Sequence, residues 1–244
     1  MMTPDELRHR WKDDVGRQVK KAVDEFFFPS ASRTAESPVE VLIVALRSLP
    51  GSGEVADFRD LRGTVLAGAI RNADLRFFDF SFSNVDVRFI DCDLSQAVFD
   101  SAEVLGSFSG TMNCASFREA SIGSSFWHES TLARNCCFEN ARFQATQLGG
   151  VDLSESNLRE IQAIGVHLVG ANLKGVNLSG AKLVETTLQG TIVDESTDLS
   201  SATLENVFVD EIRDRFGRLV ARRADLSRAR TNEGTVIKAY NPNA

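Results

Sequence analysis

Two aspartates, Asp91 and Asp93, are the residues of this 244-residue chain that most resemble an acid–base pair or part of a metal site. Paired carboxylates can transfer protons or bind a divalent cation. Asp93, however, stands directly before Leu94, at a position where Asp or Asn recurs along the chain in front of an apolar residue. We therefore assign the pair to the surface of a repeat, and keep both residues as candidates for contact with a partner.

The histidines and cysteines predict no stronger site. His9, His128 and His167 are isolated from one another in the sequence, so they indicate no metal centre. The four cysteines lack a CxxC spacing, and no nucleophile has an identifiable orienting partner. A glycine-rich phosphate loop is also missing from the sequence. We expect a protein that is not an enzyme and needs no metal or cofactor.

Two groups of residues are candidates for binding a partner. Phe126, His128 and Glu129 flank Trp127, and if Trp127 points inward then Phe126 and His128 point to solvent. The second group is an arginine-rich C-terminal segment, whose candidate residues are Arg218, Arg222 and Arg223. It is either a solvated cap or a contact with an acidic partner, such as the acidic surface of a second copy in a homodimer.

A five-residue period must position these residues, and it is clearest over residues 151–190. Leucine recurs there every five residues, with Ala163 in the one missing place, and a small or β-branched residue stands two positions earlier. Such a period is neither that of a helix nor that of an ordinary strand. The pattern loses one residue before Phe89, breaks over residues 105–111, resumes from Met112 to Leu132, and gains one residue before Phe138.

The units that begin at Ala73, Ala171 and Ala224 each read alanine, then Asp or Asn, then leucine, then two variable residues. In this pattern the chain resembles the pentapeptide-repeat family over about residues 56–209. The resemblance implies an all-β solenoid, a right-handed quadrilateral parallel β-helix with four pentapeptides in each coil. It also implies that the large central residues form inward rows, here Phe89, Phe99, Phe117, Phe138, Phe143, Leu153, Leu158, Leu168, Leu173, Leu178, Leu183 and Leu188. Phenylalanine is commoner in the first half, where we expect stacked rings.

The two ends differ from the repeat. Residues 3–27 predict one amphipathic helix with a capping box at Thr3 and Glu6, and a second helix is predicted from Ser37 through Leu46. The helix pair either covers the first coil or provides a surface for association. Residues 235–240 predict a strand. We divide the chain into a two-helix N-terminal cap (1–52), a pentapeptide-repeat β-helix (53–210) and a basic C-terminal cap or tail with a β-strand (211–244).

The charge is unevenly distributed along the chain. Residues 73–210 hold 19 acidic and 8 basic side chains, a net charge of −11. This acidity argues against direct binding of nucleic acid. The longest apolar run is too short to span a membrane, and the N-terminus does not resemble a signal peptide, so we expect a cytoplasmic protein.

Two functions are consistent with these features. The first is a non-catalytic protein-binding scaffold that presents the faces of a rod to a protein partner. The alternative is implied by the family resemblance: a DNA-mimic protein that binds DNA gyrase or a related topoisomerase and protects it from inhibitors, which confers antibiotic resistance. The acidic repeat favours the mimic, whereas the basic C-terminal segment and the N-terminal helices are not expected of one.

Overall fold

The computed structural model describes residues 2–27, 39–55, 59–213, 215 and 218–241. Within these residues the main body is a parallel β-solenoid that begins at Asp60, and three helices precede it. The helices are α1 Pro4–His9, α2 Asp14–Phe27 and α3 Val39–Leu46, with a 3-10 turn at Ser52–Glu54. The strands are β1 Val65–Arg71, β2 Asn84–Asp93, β3 Glu103–Val104, β4 Ser107–Thr111, β5 Ser121–Gly123, β6 Phe126–Trp127, β7 Arg142–Gln144, β8 Gln162–Ile164, β9 Lys182–Val184, β10 Thr203–Val207, β11 Ile212–Arg213, β12 Leu219–Ala221 and β13 Val236–Ala239.

Each coil has four sides, because four separate ladders of parallel pairing run along the solenoid. We name the sides A to D in chain order, and identify each by the residues that pair along it. Side A runs from Asp60 to Asp198, side B from Val65 to Thr203, side C from Ala69 to Phe208, and side D from Asp74 to Ile192. Paired residues on side A lie 18 to 21 positions apart. The quadrilateral parallel architecture expected from the repeat is therefore present, over about seven coils.

The interior is filled by one large and one small residue from each side, as a narrow solenoid requires. All twelve inward residues named from the sequence are buried. The rings of Phe80, Phe99, Phe117 and Phe138 form a column on side A, with neighbouring centroids 4.7, 4.7 and 5.0 Å apart. A second column on side C joins Phe89 to Phe108 and Phe108 to Trp127. The prediction of stacked rings in the first half of the repeat is confirmed.

The structure corrects the predicted phase at two places. The period does not break over residues 105–111; it shortens to four residues, so that Phe108 is buried between Val104 and Met112. The inward residue after Trp127 is Ala133, which is fully buried, whereas Leu132 is only half-buried. The prediction for Leu132 was wrong because the extra residue lies in the turn at 128–131, where the Thr131 N–H donates to the carbonyl of His128.

Residues 2–27 form two helices, and the prediction of one helix over residues 3–27 was wrong. The capping box at Thr3 and Glu6 is present, but α1 ends at His9 and α2 begins at Asp14. The Asp13 carboxylate accepts the N–H of Gly16, and Gly16 packs directly on the backbone of Arg10. A helix start and a close backbone contact at this point are incompatible with a continuous helix. The predicted start of the second helix, Ser37, lies outside the described residues.

The helices cover the first coil. Leu7 of α1 lies on Gly63, where an added Cβ would stand 2.6 Å from the Leu7 backbone. Arg10 and Arg62 both bind the fully buried carboxylate of Asp60, with an Arg10 Nη2 to Asp60 Oδ1 distance of 2.6 Å. The Trp11 indole also donates to the carbonyl of Arg62. The N-terminal segment is thus attached to the solenoid by an apolar contact and a buried ion cluster.

The C-terminal segment continues the solenoid irregularly. Strand β13, which was predicted from the sequence, pairs in parallel with β10. Before it, β11 and β12 form an antiparallel hairpin at the corner between sides C and D. The chain returns from this hairpin to the solenoid at Arg222, whose carbonyl accepts the N–H of Gly190. The hairpin therefore interrupts a coil and brings the basic segment alongside the repeat.

Candidate functional site

A groove of about 880 Å³ lies along the corner between sides C and D. We call it the corner groove. It extends from Phe126 to the segment that follows β12, and its lining includes residues from five successive turns of the chain. One end is lined by aromatic and acidic side chains, the floor by glycines, and the other end by arginines.

The floor of the corner groove is formed by Gly149, Gly150, Gly170 and Gly190. Gly150, Gly170 and Gly190 occupy the left-handed corner position of three consecutive coils, with φ near +70°. This conformation alone does not explain the glycines, because other corners of the solenoid place residues such as Glu155 at a similar φ. What distinguishes the glycines is that they leave the corner without side chains, so the groove stays open.

The aromatic end contains three candidates that were named from the sequence. Phe126 is 55% exposed, and His128 and Glu129 are also exposed, whereas Trp127 is buried. The Trp127 indole donates to Ser125 Oγ at 3.0 Å, which satisfies its one polar group inside the solenoid. His128 Nδ1 accepts the N–H of Ser130, so this ring nitrogen stabilises the turn at the groove's edge.

The opposite end contains Arg222, Arg223 and Arg228. Arg223 Nε lies 3.7 Å from Asp210, and Arg228 Nη2 lies 3.5 Å from Glu195. All four of these side chains are strongly exposed, and such ion pairs contribute little to stability, so the arginines can exchange their partners at low cost.

Asp225 also lines the groove, and its carboxylate is held within its own turn. The hydroxyl of Ser227 donates to it at 2.6 Å, and this hydrogen bond lowers the pKa of Asp225. The carboxylate therefore stays ionised, and it partly offsets the positive charge at this end of the groove.

The structure thus brings five of the eight candidate contact residues into one groove. Asp91, Asp93 and Arg218 lie outside its lining. Asp91 occupies a left-handed corner, and its N–H donates to Ser109 Oγ at 2.9 Å. Asp93 accepts the N–H of Ser95, which is the local capping role that Asp and Asn have in this repeat. In the described part of the chain no cluster of histidine, cysteine and carboxylate side chains could hold a metal ion.

The groove opens onto a side of the solenoid with few charges. Between residues 126 and 190, the outward side chains of side C are uncharged apart from Glu129 and Glu185 at its two corners. They include Gln147, His167 and Thr187, and His167 Nδ1 lies 3.3 Å from Thr187 Oγ1. Side C therefore carries few charged side chains, although the repeat as a whole is acidic.

Several acidic residues on the other sides are paired with arginines. On side D, Asp152 accepts hydrogen bonds from Ser154 and from Arg134 at 2.6 Å. Burial raises the pKa of Asp152, but these hydrogen bonds outweigh it and hold the pKa below its ordinary value. Similar ion pairs join Arg76 to Asp74, Arg118 to Glu139, Arg159 to Glu160, and Arg230 to Asp198.

The groove floor was missed by sequence reasoning. The glycines lie within residues 151–190 or just before them. The regular repeat in this stretch predicts a structural role and no binding surface. Three glycines spaced exactly one coil apart, at 150, 170 and 190, were the available signal. The approach of Arg222 to Gly190 had no such signal, because it depends on the length and path of the hairpin.

The model of the family described as pentapeptide repeats matches residues 136–160 and 152–190, in eight copies. Solved structures that are similar include a pentapeptide repeat protein, Rfr23, from the cyanobacterium Cyanothece (18% identity, 57% of this chain and 89% of that one, TM-score 0.34). QnrB1, a plasmid-mediated fluoroquinolone resistance protein, is 19% identical over 70% of this chain and 92% of its own, with a TM-score of 0.31.

A third similar structure is HetL, a pentapeptide repeat protein involved in heterocyst differentiation regulation in the cyanobacterium Nostoc. It is 18% identical over 70% of this chain and 92% of its own, with a TM-score of 0.33. No curated protein sequence matches the chain. None of the described helices is both long enough and apolar enough to cross a membrane.

Proposed function

We propose that this chain, a pentapeptide-repeat protein, is a non-catalytic scaffold that binds a protein partner in the corner groove. The observation that carries the proposal is the convergence of Phe126 and His128 with Arg222 and Arg223 around a glycine floor. Exposed aromatic and arginine side chains are the residue types that dominate binding energy at protein interfaces. Regular coils hold the backbone of Phe126, His128 and the glycine floor in place, so little backbone ordering is needed there on binding.

The distribution of charge supports a scaffold over a DNA mimic. A mimic needs rows of unpaired negative charge along the rod, but several acidic side chains here are bound by arginines on sides A and D. The groove side is nearly neutral and its C-terminal end is cationic. Gyrase supercoiling in the presence of the purified chain tests the alternative: the scaffold predicts no inhibition and no protection from gyrase inhibitors.

Site-specific photocrosslinking tests the scaffold directly. A photoreactive phenylalanine analogue replaces Phe126 in the groove or, as the control, Ile164 on side B, which is 52% exposed and similar to Phe126 in burial. In cells of the source organism, the Phe126 probe should yield one discrete adduct that the Ile164 probe does not. The adduct is identified by mass spectrometry and the complex is then rebuilt from purified components.

Two results would count against the proposal. One is identical adducts from both probe positions, which would indicate non-specific contact. The other is an adduct at Phe126 whose purified partner binds the chain equally well after the groove is blocked. Inhibition of supercoiling by the chain, with gyrase as the adduct, would favour the DNA mimic.

A further inference from the structure

We propose that the occupant of the corner groove is an extended segment of about six residues from the partner, apolar in its middle and carrying a carboxylate at the end that faces Arg222 and Arg223. This inference rests on the proposed function and specifies the chemistry of the partner. It follows from the groove's length, from the hydrogen bonding of its floor, and from the charges at its two ends.

The length of the groove sets the length of the segment. On side C, Phe126 pairs with Gln147, Gln147 with His167, His167 with Thr187, and Thr187 with Phe208. These four steps of about 4.8 Å span roughly 19 Å along the axis of the solenoid. An extended chain advances about 3.3 Å per residue, so about six residues fit between the two ends.

The floor excludes recognition by strand addition. The N–H groups of Gly150, Gly170 and Gly190 already donate to the carbonyls of Val169, Gln189 and Arg222 in the next turn of the chain. Because these backbone donors are already used, a ladder of strand-type hydrogen bonds cannot form, and the occupant is held mainly by its side chains. The apolar contacts available for that purpose are Phe126, Val169 and the 47% exposed Ile192.

The two ends of the groove fix the polarity of the segment. Glu129 lies at the aromatic end, whereas Arg222 and Arg223 lie about four coils away at the other end. A carboxylate on the occupant is attracted by the arginines, and the planar guanidinium can bind it through two hydrogen bonds. The same carboxylate at the Glu129 end would be repelled. A segment with an acidic residue at the arginine end and a basic or neutral residue at the Glu129 end therefore matches the charges of the groove.

Synthetic hexapeptides test the inference with the full-length chain. The peptides are fluorescently labelled and blocked at both ends, with four central positions drawn from Leu, Phe, Val and Gly. One set has Glu at one terminus and Lys at the other, in both orders, and a matched set has Lys at both. Fluorescence anisotropy should detect binding in the Glu-containing set, at least tenfold tighter than in the Lys-only set.

Two tryptophan substitutions provide a matched pair of variants. Gly149→Trp fills the groove floor, since Gly149 lies outside the left-handed region and an added Cβ meets only the Val169 oxygen at 3.4 Å. Gly123→Trp is the control at the equivalent place on side B, where the Cβ meets the flexible Leu105 side chain. Peptide binding should fall at least tenfold in G149W and in Arg222→Glu, and stay unchanged in G123W, with all three variants retaining the native circular dichroism spectrum.

The results separate this inference from the proposed function. Equal binding of Glu-containing and Lys-only peptides, binding that G149W leaves unchanged, or no hexapeptide binding at all would overturn the extended acidic segment. If hexapeptides fail but the Phe126 probe still captures a specific partner that G149W releases, the scaffold stands and its partner docks as a folded surface. If both experiments fail, the groove is not a binding site.

Discussion

Each position of the five-residue unit has its own physical role. The central residue and the residue two before it fill the interior, while the Asp or Asn between them accepts the N–H two residues ahead, as Asp152 does from Ser154. This division of roles explains why Asp93 is a structural residue despite its proximity to Asp91. It also means that neighbouring residues differ sharply in their contribution to stability.

Phe126 and Trp127 provide the clearest contrast between neighbours. Trp127 is fully buried in the aromatic column of side C, so Trp127→Ala should lower the free energy of unfolding by about 3–5 kcal/mol. Phe126→Ala removes a side chain that is 55% exposed and should cost under about 0.5 kcal/mol. Urea unfolding of both variants measures the difference; equal losses would show that the assigned phase is incorrect.

Ala163 tests whether the interior has room for the leucine that the repeat lacks there. It lies between Phe143 and Leu183 on side B, and the void beside it is only about 10 Å³. Ala163→Leu should therefore overpack the core and destabilise the chain by about 1–3 kcal/mol. Thermal unfolding compares it with Ala163→Val, which should be closer to the native protein. A clear stabilisation by leucine would mean that Phe143 does not fill this space.

Among the elements, the N-terminal helices are attached to the first coil by a buried ion cluster, an interaction with a high desolvation cost. The Asp60 carboxylate is fully buried between Arg10 and Arg62, and Arg62 also binds Glu54 at 3.1 Å. Burial raises the pKa of Asp60, but the hydrogen bonds from the two arginines outweigh it and lower the pKa below its ordinary value of 3.8. The cluster therefore joins the cap to the solenoid only while Asp60 is ionised.

Asp60→Asn should destabilise the protein by about 3–5 kcal/mol at pH 7, because it leaves the buried Arg10 guanidinium without its counter-charge and removes one of the carboxylate partners of Arg62. Since folding lowers the pKa of Asp60, its contribution is fully present above pH 3.8 and is lost as the pH falls through the lower folded value. The difference between the native protein and the variant should thus be constant from pH 7 to about 4 and shrink below pH 3.8. Urea unfolding across this range measures it.

Asp24→Asn is the control for this pH dependence. Asp24 pairs with Lys20 on α2, and its side chain is 47% exposed. Such a pair should contribute no more than about 0.5 kcal/mol at any pH. A loss in D60N no larger than in D24N would contradict the account of how the cap is attached.

For the whole molecule, the sequence predicts the solenoid but not the groove. A local five-residue pattern determines which residues lie inside, so rows such as Leu153 and Leu173 could be placed before the structure was known. The prediction that Leu132 points inward was wrong because the five-residue pattern does not indicate the length of the turn at 128–131. The N-terminal helix break depends on a contact between Gly16 and Arg10 that hydrophobic periodicity does not indicate. The groove depends on Arg222 reaching Gly190, a contact created by an inserted hairpin.

Comparing the partner's affinity for the two tryptophan variants tests the central claim most directly. Once the protein crosslinked at Phe126 has been purified, isothermal titration calorimetry gives its Kd for the native chain, for G149W and for G123W. The corner groove predicts that G149W weakens binding at least tenfold and that G123W binds like the native chain. Equal affinity for all three proteins, or a greater loss in G123W, would contradict the assignment of the groove as the binding site.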